Sequence, residues 1–397
     1  MSNITIGSAT SEATPKSKRI EDLEVLRAIA VMMVFLHHIK GLIYWKSSTI
    51  ESLFVYFNGS VGVDLFFVIS GFIIARSLLP KLQQSSSTRQ YFRITVAFWI
   101  RRFWRLIPSA WLWLAIPLVL CLCFNDSGAF RTFKGNLAMA ISAVLHLANF
   151  SFAQSFGQNE YSNVVFQYWS LSLEEQFYVA LPFLIFFSRK HLTKVLIALV
   201  VVQLLLHRET FSLMLNVVRT DGLFLGVLIA IWQTKENYED FNPKFLESRL
   251  ARFIFLGLLI LALGTICAKL NIVSPGYQFN VATLLGGIAV FVASFNRNYI
   301  VRGGLLKPVL MWLGARSYGI YLAHYGIFAL TREIFFRINP QLPLQHRGTE
   351  TIILYVLTAI VLTSIAVELN YRFIEMPLQN KGRRISKEYV EKKDALT

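Results

Sequence analysis

The residues of this sequence that could do chemistry are ionisable side chains placed inside long apolar runs. In the segment EDLEVLRAIAVMMVFLHHIK, Arg27 and His38 are eleven residues apart. That spacing is about three turns and about 16 Å of an α-helix, so the two side chains share one face. A histidine deep in a helix bundle can take a proton from a hydroxyl near neutral pH. The alternative is that Arg27 reaches the lipid headgroups and His38 is a hydrogen-bonded interfacial histidine.

A cluster of three arginines lies at the start of another apolar run, in the segment FWIRRFWRLIPSAW. Arg101 and Arg105 are four residues apart on one helix face, and Arg102 lies one turn from Arg105. Guanidinium groups between indole rings predict an anion site that grips the phosphates and adenine of a nucleotide-like ligand. The alternative is an anchor, in which aromatic rings and positive charge fix the cytoplasmic end of a span.

Buried carboxylates are a third feature. In the segment YWSLSLEEQFYVALPF, Glu174 and Glu175 begin six residues after Tyr168, at the start of a span, where either carboxylate could reach a cavity or face water. Asp64, in GVDLFFVISGF, could orient a histidine, bind a hydroxyl, or only join two helices by a hydrogen bond. Arg219 and Asp221 are near enough in sequence to predict a local ion pair. The polar residues that are predicted to line a cavity are Asp64, Ser70, Glu175, Arg219, Asp221 and His324.

The scaffold that must position these residues is strongly apolar. Of 397 residues, 55% are hydrophobic and only 16% are charged, and the mean hydropathy is +0.51. Soluble domains contain roughly 25% charged residues. Apolar runs of about 17 to 25 residues recur, each long enough to cross a hydrocarbon core of about 30 Å. The sequence therefore predicts an all-α, polytopic integral membrane protein in contact with lipid.

The net charge of +16 falls mostly between the apolar runs. This pattern is typical of cytoplasmic loops and argues against nucleic acid as a partner. The three cysteines have no metal-ligand spacing and are expected to be packing residues, so no metal is predicted. Walker A, GxSxG and HExxH motifs do not occur in the sequence.

The distribution of loop charge predicts how many runs cross the membrane. The cationic connectors fall on one side only if the run 137–153 is a lumen-side or re-entrant segment. About ten transmembrane helices result, with both termini cytoplasmic. The predicted regions are a disordered cytoplasmic tail without a cleavable signal peptide at 1–19, a membrane domain at 20–378, and a basic cytoplasmic tail at 379–397. The small residues Ser70 and Gly71 predict a close approach of two helices.

Seven segments in order resemble the acyltransferase-3 family of membrane-bound O-acyltransferases, which often modify bacterial surface polysaccharides. They are LEVLRAIAVMMVFLHH, GVDLFFVISGFII, FWIRRFWRLIP, YWSLSLEEQFY, RTDGLFLG, SYGIYLAH and YRFIEMP, and they span nearly the whole chain. The resemblance implies ten helices, a reaction centre at Arg27, His38 and Glu174, and a donor site at Arg101, Arg102 and Arg105. One departure is Glu24-Val25, where the family has an acidic residue followed by glycine.

The resemblance also implies a donor, an acceptor and a location. The donor is expected to be acetyl-CoA, the co-substrate, and the acceptor a sugar hydroxyl of a lipid-linked or surface glycan such as O-antigen. The expected location is the inner membrane of the cell. Some family members carry a hydrolase-like domain after the membrane domain, so this chain is expected to act alone or with a separate periplasmic transferase. Buried charge equally suits a proton-coupled transporter, and a non-catalytic subunit of a glycan assembly complex is a third reading.

Overall fold

The computed structural model describes residues 20–43, 48–156, 163–206, 208, 213–341 and 349–394. The regular elements among these residues are helices, with no strand. The predicted tail at 1–19 lies outside the described residues. The helices are α1 (Glu21–His37), α2 (Ile39–Leu42), α3 (Ser48–Tyr56), α4 (Gly62–Gln83), α5 (Thr88–Cys123), α6 (Phe133–Val144), α7 (Ala148–Phe156), α8 (Tyr168–Ser188), α9 (Leu192–Leu205), α10 (Leu213–Val217), α11 (Asp221–Trp232), α12 (Arg249–Leu261), α13 (Cys267–Val273), α14 (Tyr277–Ser294), α15 (Leu306–Ile338), α16 (Thr349–Asn370) and α17 (Met376–Asp394).

Six helical stretches of the described chain are long and apolar enough to cross a membrane. They are Gly59–Gln83, Thr88–Cys123, Met214–Trp232, Arg249–Val273, Tyr277–Ser294 and Glu350–Glu391. The prediction of an all-α polytopic membrane protein is therefore confirmed. The number of about ten crossings and the cytoplasmic side of both termini stay predictions.

The run 137–153 is not one helix. Helix α6 ends at Val144 and α7 begins at Ala148, and His146 between them has a left-handed backbone with φ of 58°. The 12 residues of α6 rise about 18 Å, which is less than the hydrocarbon thickness of about 30 Å. Neither α6 nor α7 can therefore cross the bilayer alone.

Helices α4 and α11 pack so closely that only glycine fits between them. A Cβ atom on Gly71 would lie 2.0 Å from the carbonyl oxygen of Leu223, and one on Gly226 would lie 2.2 Å from that of Val68. The prediction of a close approach at Ser70–Gly71 is confirmed. Gly314 of α15 approaches α1 in the same way, because its Cβ would lie 2.0 Å from the oxygen of Glu24.

Two buried ion pairs join the helices around α11. Arg219 Nε lies 2.6 Å from Asp64 Oδ1, and Arg208 Nη2 lies 3.0 Å from Asp221 Oδ1. The predicted local pair of Arg219 with Asp221 is therefore wrong, because each residue pairs with a partner on another segment. Thr283 of α14 also donates to Asp221, so the network links α4, α11 and α14.

The basic C-terminal segment continues as helix α17 through the predicted boundary at 378. It lies along α5, where Arg101 Nη1 donates to Ser386 Oγ at 2.6 Å. Lys381 Nζ lies 4.6 Å from the centre of the Trp104 ring, and Gly382 leaves room for the same indole. These contacts hold the tail against the helix that carries the arginine cluster.

Candidate active site

His38 lies directly after the first helix. Helix α1 ends at His37, and His38 has φ −84° and ψ 0°, after which α2 begins at Ile39. His38 Nδ1 lies 2.9 Å from Nε2 of His324, which is on α15 and 286 residues away in sequence. The ring centres are 5.0 Å apart and tilted by 28°. Two histidines from helices that pack along each other therefore form one hydrogen-bonded pair.

The backbone around His324 determines which nitrogen of His38 carries a proton. His324 Nδ1 lies 2.8 Å from the carbonyl oxygen of Tyr321, and a carbonyl can only accept. Neutral His324 therefore has its proton on Nδ1 and a lone pair on Nε2. His38 must then donate from Nδ1 to that lone pair, which leaves Nε2 of His38 unprotonated. This nitrogen is the one that could act as a base or a nucleophile.

His38 lines a large cavity of 830 Å³. Aromatic rings form part of its wall, since Phe152 stacks on both Phe166 and Trp169 with ring centres 6.0 Å apart. The polar and charged side chains that line it are His37, His38, Lys40, Ser60, Arg131, Gln167, Asn216, Arg219, Asn271, Gln278, Tyr321, Tyr325 and Arg332. Aromatic faces beside several amides suit a sugar, which has both apolar ring faces and hydroxyl groups.

A second cavity, of 80 Å³, lies by the N-terminal half of α1. The polar and charged side chains that line it are Arg27, Ser70, Arg102, Arg105, Ser170, Glu174, Tyr178, Ser317, Tyr318 and Tyr321. Three guanidinium groups and one carboxylate thus face the same small space. Arg27 Nε donates to Ser317 Oγ at 3.1 Å, and Glu174 accepts hydrogen bonds from the hydroxyls of Ser70 and Tyr178.

The two cavities adjoin at Tyr321 and Val63, which line both. The hydroxyl of Tyr321 lies 2.5 Å from Ser170 Oγ and 3.1 Å from the carbonyl oxygen of Gln167. This phenol is therefore fixed by α8 at the boundary between the cationic cavity and the cavity that contains His38.

The predicted reaction centre is divided between the two cavities. Arg27 and Glu174 line the small cavity together with Arg102 and Arg105, whereas His38 lines the large one. The resemblance grouped Arg27 and Glu174 with His38, but in the structure the ring of His38 is held by His324. The reason is the length of α1: eleven residues place Arg27 about 16 Å from His38 along the axis.

The arginine cluster is also divided. Arg102 lies over the rings of Phe98 and Tyr178 at 5.4 and 5.2 Å and faces the small cavity with Arg105. Arg101 is not among the described lining residues, and its guanidinium donates to Ser386 on α17. Two of the three predicted donor-site arginines are therefore brought together, and the third faces the tail.

Of the six polar residues predicted to line a cavity, two line the two cavities described above. Ser70 lines the small cavity and Arg219 the large one. The other four have partners within the protein instead, and of these Glu175 is only partly buried. Asp64 and Asp221 hold the arginines of the ion-pair network, Glu175 accepts a hydrogen bond from His146, and His324 lies behind His38 with 1% of its surface exposed.

Sequence reasoning did not single out Tyr321, Lys40, Arg131 or Arg332. Tyr321 is three residues before His324 and Arg332 is eight residues after it, so helical spacing from His324 could have identified both. Lys40 follows His38 by two residues. Arg131 lies in the loop before α6, and no periodicity predicts where a loop residue is placed.

Comparison with known proteins assigns the chain to a class. A family model described as an acyltransferase domain, of the acyltransferase-3 type, matches residues 20–369. The chain belongs to this family, which confirms the resemblance seen in the sequence motifs.

Individual relatives are similar over most of the chain. The peptidoglycan O-acetyltransferase OatA of Listeria monocytogenes is 28% identical over 92% of this chain and 56% of its own length. The O-acetyltransferase OatA of Staphylococcus aureus is 28% identical over 91% and 57%, and YrhL of Bacillus subtilis is 29% identical over 94% and 56%. The chain thus spans a little over half the length of these relatives. No solved structure matches it.

Proposed function

We propose that this protein transfers an acetyl group from cytosolic acetyl-CoA to a hydroxyl of an envelope glycan across the inner membrane. The observation that carries the proposal is the hydrogen-bonded pair of His38 and His324, from which an unprotonated Nε2 of His38 follows, in a ring that lines a cavity with aromatic and amide side chains. The family and the names of the relatives support acetyl transfer to a glycan. Those names point to peptidoglycan, so the acceptor is proposed as an envelope glycan, of which O-antigen is only one form.

The arginines that line the small cavity would bind the phosphates of the donor. Arg102 and Arg105 lie side by side with Arg27, and such a group of guanidinium ions suits the phosphates of acetyl-CoA. Glu174 is occupied by two hydroxyl donors, which keeps its charge in place beside these cations. The acetyl end of the donor would extend past Tyr321 into the large cavity.

The large cavity would hold the acceptor. As the sugar oxygen attacks the thioester carbonyl, Nε2 of His38 takes the hydroxyl proton. The carbon–sulfur bond then breaks, and the proton passes to the sulfur of coenzyme A, so that an ester and a thiol are the products. The same lone pair could first accept the acetyl group as an acyl-imidazole and pass it to the sugar. Both routes need the Nε2 nitrogen unprotonated.

The proposal is tested with acetyl-CoA that carries radiolabel in its acetyl group. Purified protein is incubated with this donor and with glycan fragments from a bacterial envelope, and label on the glycan is counted. We expect transfer by the wild type and a fall of about a hundredfold or more in His38→Ala, the usual contribution of a general base. Movement of an unmodified solute into vesicles, with no label on glycan, would instead identify a transporter.

Lys190→Gln is the matched control for this assay. Lys190 is exposed between α8 and α9 and is not among the described residues that line either cavity. Its rate should equal that of the wild type. Equal transfer by His38→Ala and by Lys190→Gln would remove His38 from the reaction.

A further inference from the structure

The charged side chains among the described residues that line the large cavity have one sign. Its cationic side chains are Lys40, Arg131, Arg219 and Arg332, and none of the described residues that line it is an aspartate or a glutamate. Arg219 is held by Asp64 in a buried ion pair, so its charge is balanced within the protein. The described lining thus still contains three further cationic side chains and no carboxylate, a composition that a neutral sugar would not require.

These three cations lie around the histidine pair. Lys40 is two residues after His38, and Arg332 is two helical turns after His324 on the same face of α15. Arg332 Nη1 lies 3.3 Å from the carbonyl oxygen of Gly41, the residue after Lys40. Arg332 is therefore in contact with the segment that carries His38 and Lys40.

The third cation, Arg131, lies on a loop that hydrogen bonds hold in place. Glu333, which is completely buried, accepts hydrogen bonds of 2.9 Å from the backbone N–H groups of Asp126 and Ser127. It also binds Arg337 at 2.8 Å, so its charge is engaged away from the cavity. This clamp fixes the loop that carries Arg131 onto the turn of α15 next to Arg332. Arg131 and Lys40 are exposed, whereas Arg332 is half-buried.

We infer that the acceptor is an anionic glycan, which presents a carboxylate or a phosphate to Arg332, Lys40 and Arg131 while a sugar hydroxyl approaches His38. The inference rests on the proposed function, because it names the chemical class of its acceptor. Exposed Lys40 and Arg131 draw the anion towards the cavity, and half-buried Arg332 binds it where water is partly excluded and the attraction is stronger.

Binding of matched oligosaccharides tests this inference. The protein, in lipid nanodiscs, is titrated with chitotetraose in three forms: reduced to the neutral alditol, oxidised to the aldonate, and carrying a phosphate at the reducing end. We expect at least one anionic form to bind about tenfold more tightly than the alditol, as one charge-assisted hydrogen bond would give. The preference for the anionic forms should shrink as salt is added. Which of the two anionic forms binds more tightly distinguishes recognition of a carboxylate from recognition of a phosphate. Equal affinity for all three forms, or no binding of either anion, would overturn the inference.

Substitutions of the cations test whether they cause the preference for an anionic oligosaccharide. Arg131→Gln and Arg332→Gln should each reduce it, and Arg332→Lys should restore most of it because the charge returns. Lys190→Gln, outside both cavities, should keep the full preference. A wild-type preference that survives in both glutamine variants would overturn the assignment to this cavity.

The outcome is separable from that of the proposed function. A wild type that acetylates envelope glycan but binds the three forms of chitotetraose with equal affinity would disprove the anionic acceptor alone. A wild type that prefers the anions but transfers no acetyl group would disprove the transferase proposal alone.

Discussion

His38 Nδ1 and His324 Nε2 are 2.9 Å apart, and the backbone carbonyl of Tyr321 determines the direction of the hydrogen bond between them. In the proposed function, His324 acts on the reaction only through His38, as a positioning residue. The hydrogen bond fixes the tautomer and the orientation of the His38 ring, which lines the large cavity.

Replacement of His324 should lower kcat without changing the KM for acetyl-CoA. In His324→Leu the Nδ1 of His38 loses His324 as its acceptor, and the ring can adopt the tautomer with the proton on Nε2. Loss of the tautomer-fixing partner lowers kcat by about a hundredfold or more in such sites. His324→Gln keeps a carbonyl oxygen that can accept from His38, so it should retain clearly more activity. Steady-state kinetics check both, and an unchanged kcat in His324→Leu would contradict the role.

Substitutions of neighbouring arginines in the cluster should have different effects on the KM for acetyl-CoA. Arg102→Gln and Arg105→Gln are each expected to raise the KM for acetyl-CoA about tenfold, because each removes a guanidinium from the small cavity. Arg101→Gln should leave that KM close to the wild-type value, because Arg101 binds Ser386. Initial rates against donor concentration measure all three. The opposite order would show that the donor lies on the face towards α17.

The interface of α4 with α11 should not tolerate a side chain at Gly226. Gly226→Val places a Cβ 2.2 Å from the oxygen of Val68, and such overpacking costs about 1–3 kcal/mol. The thermal midpoint of the purified protein in detergent should fall by several degrees. Gly257→Ala is the control, since nothing lies within 4 Å of its Cβ position. Equal midpoints for the two variants would contradict the close packing.

The buried ion pair should matter far more than an exposed one. Asp64→Ala leaves Arg219 as an uncompensated buried cation, which costs about 3–5 kcal/mol. Glu239→Ala breaks a surface pair with Arg297, of 3.3 Å, that is worth less than about 1 kcal/mol. Thermal midpoints, or yields of folded protein from membranes, compare them. Similar losses from both variants would contradict a structural role for Asp64.

Features that depend on local spacing were predictable from the sequence. Apolar run length indicated a polytopic helical protein, and the small pair at Ser70–Gly71 indicated the close approach that Leu223 makes. Motif order indicated the family. The break of the run 137–153 agrees with the loop-charge argument that one run there does not cross as a single helix.

Features that depend on distant partners were not predictable. His324 meets His38 across 286 residues, and Asp64 meets Arg219 across 155. Helical periodicity predicted that Arg101 and Arg105 lie on one helix face. Because α17 packs on α5, however, Arg101 donates a hydrogen bond to Ser386. Periodicity also assumed that the helix continues through His38, whereas α1 ends one residue earlier.

The central claim is that His38 drives acetyl transfer to an envelope glycan. It is tested most directly by mass spectrometry of envelope glycan from cells that express the wild type, His38→Ala or Lys190→Gln at equal membrane levels. We predict that the wild type and Lys190→Gln add the mass of one acetyl group to glycan fragments, and that His38→Ala adds none. Acetylated glycan in the His38→Ala cells at the wild-type level, or no added mass in the wild type, would contradict the account.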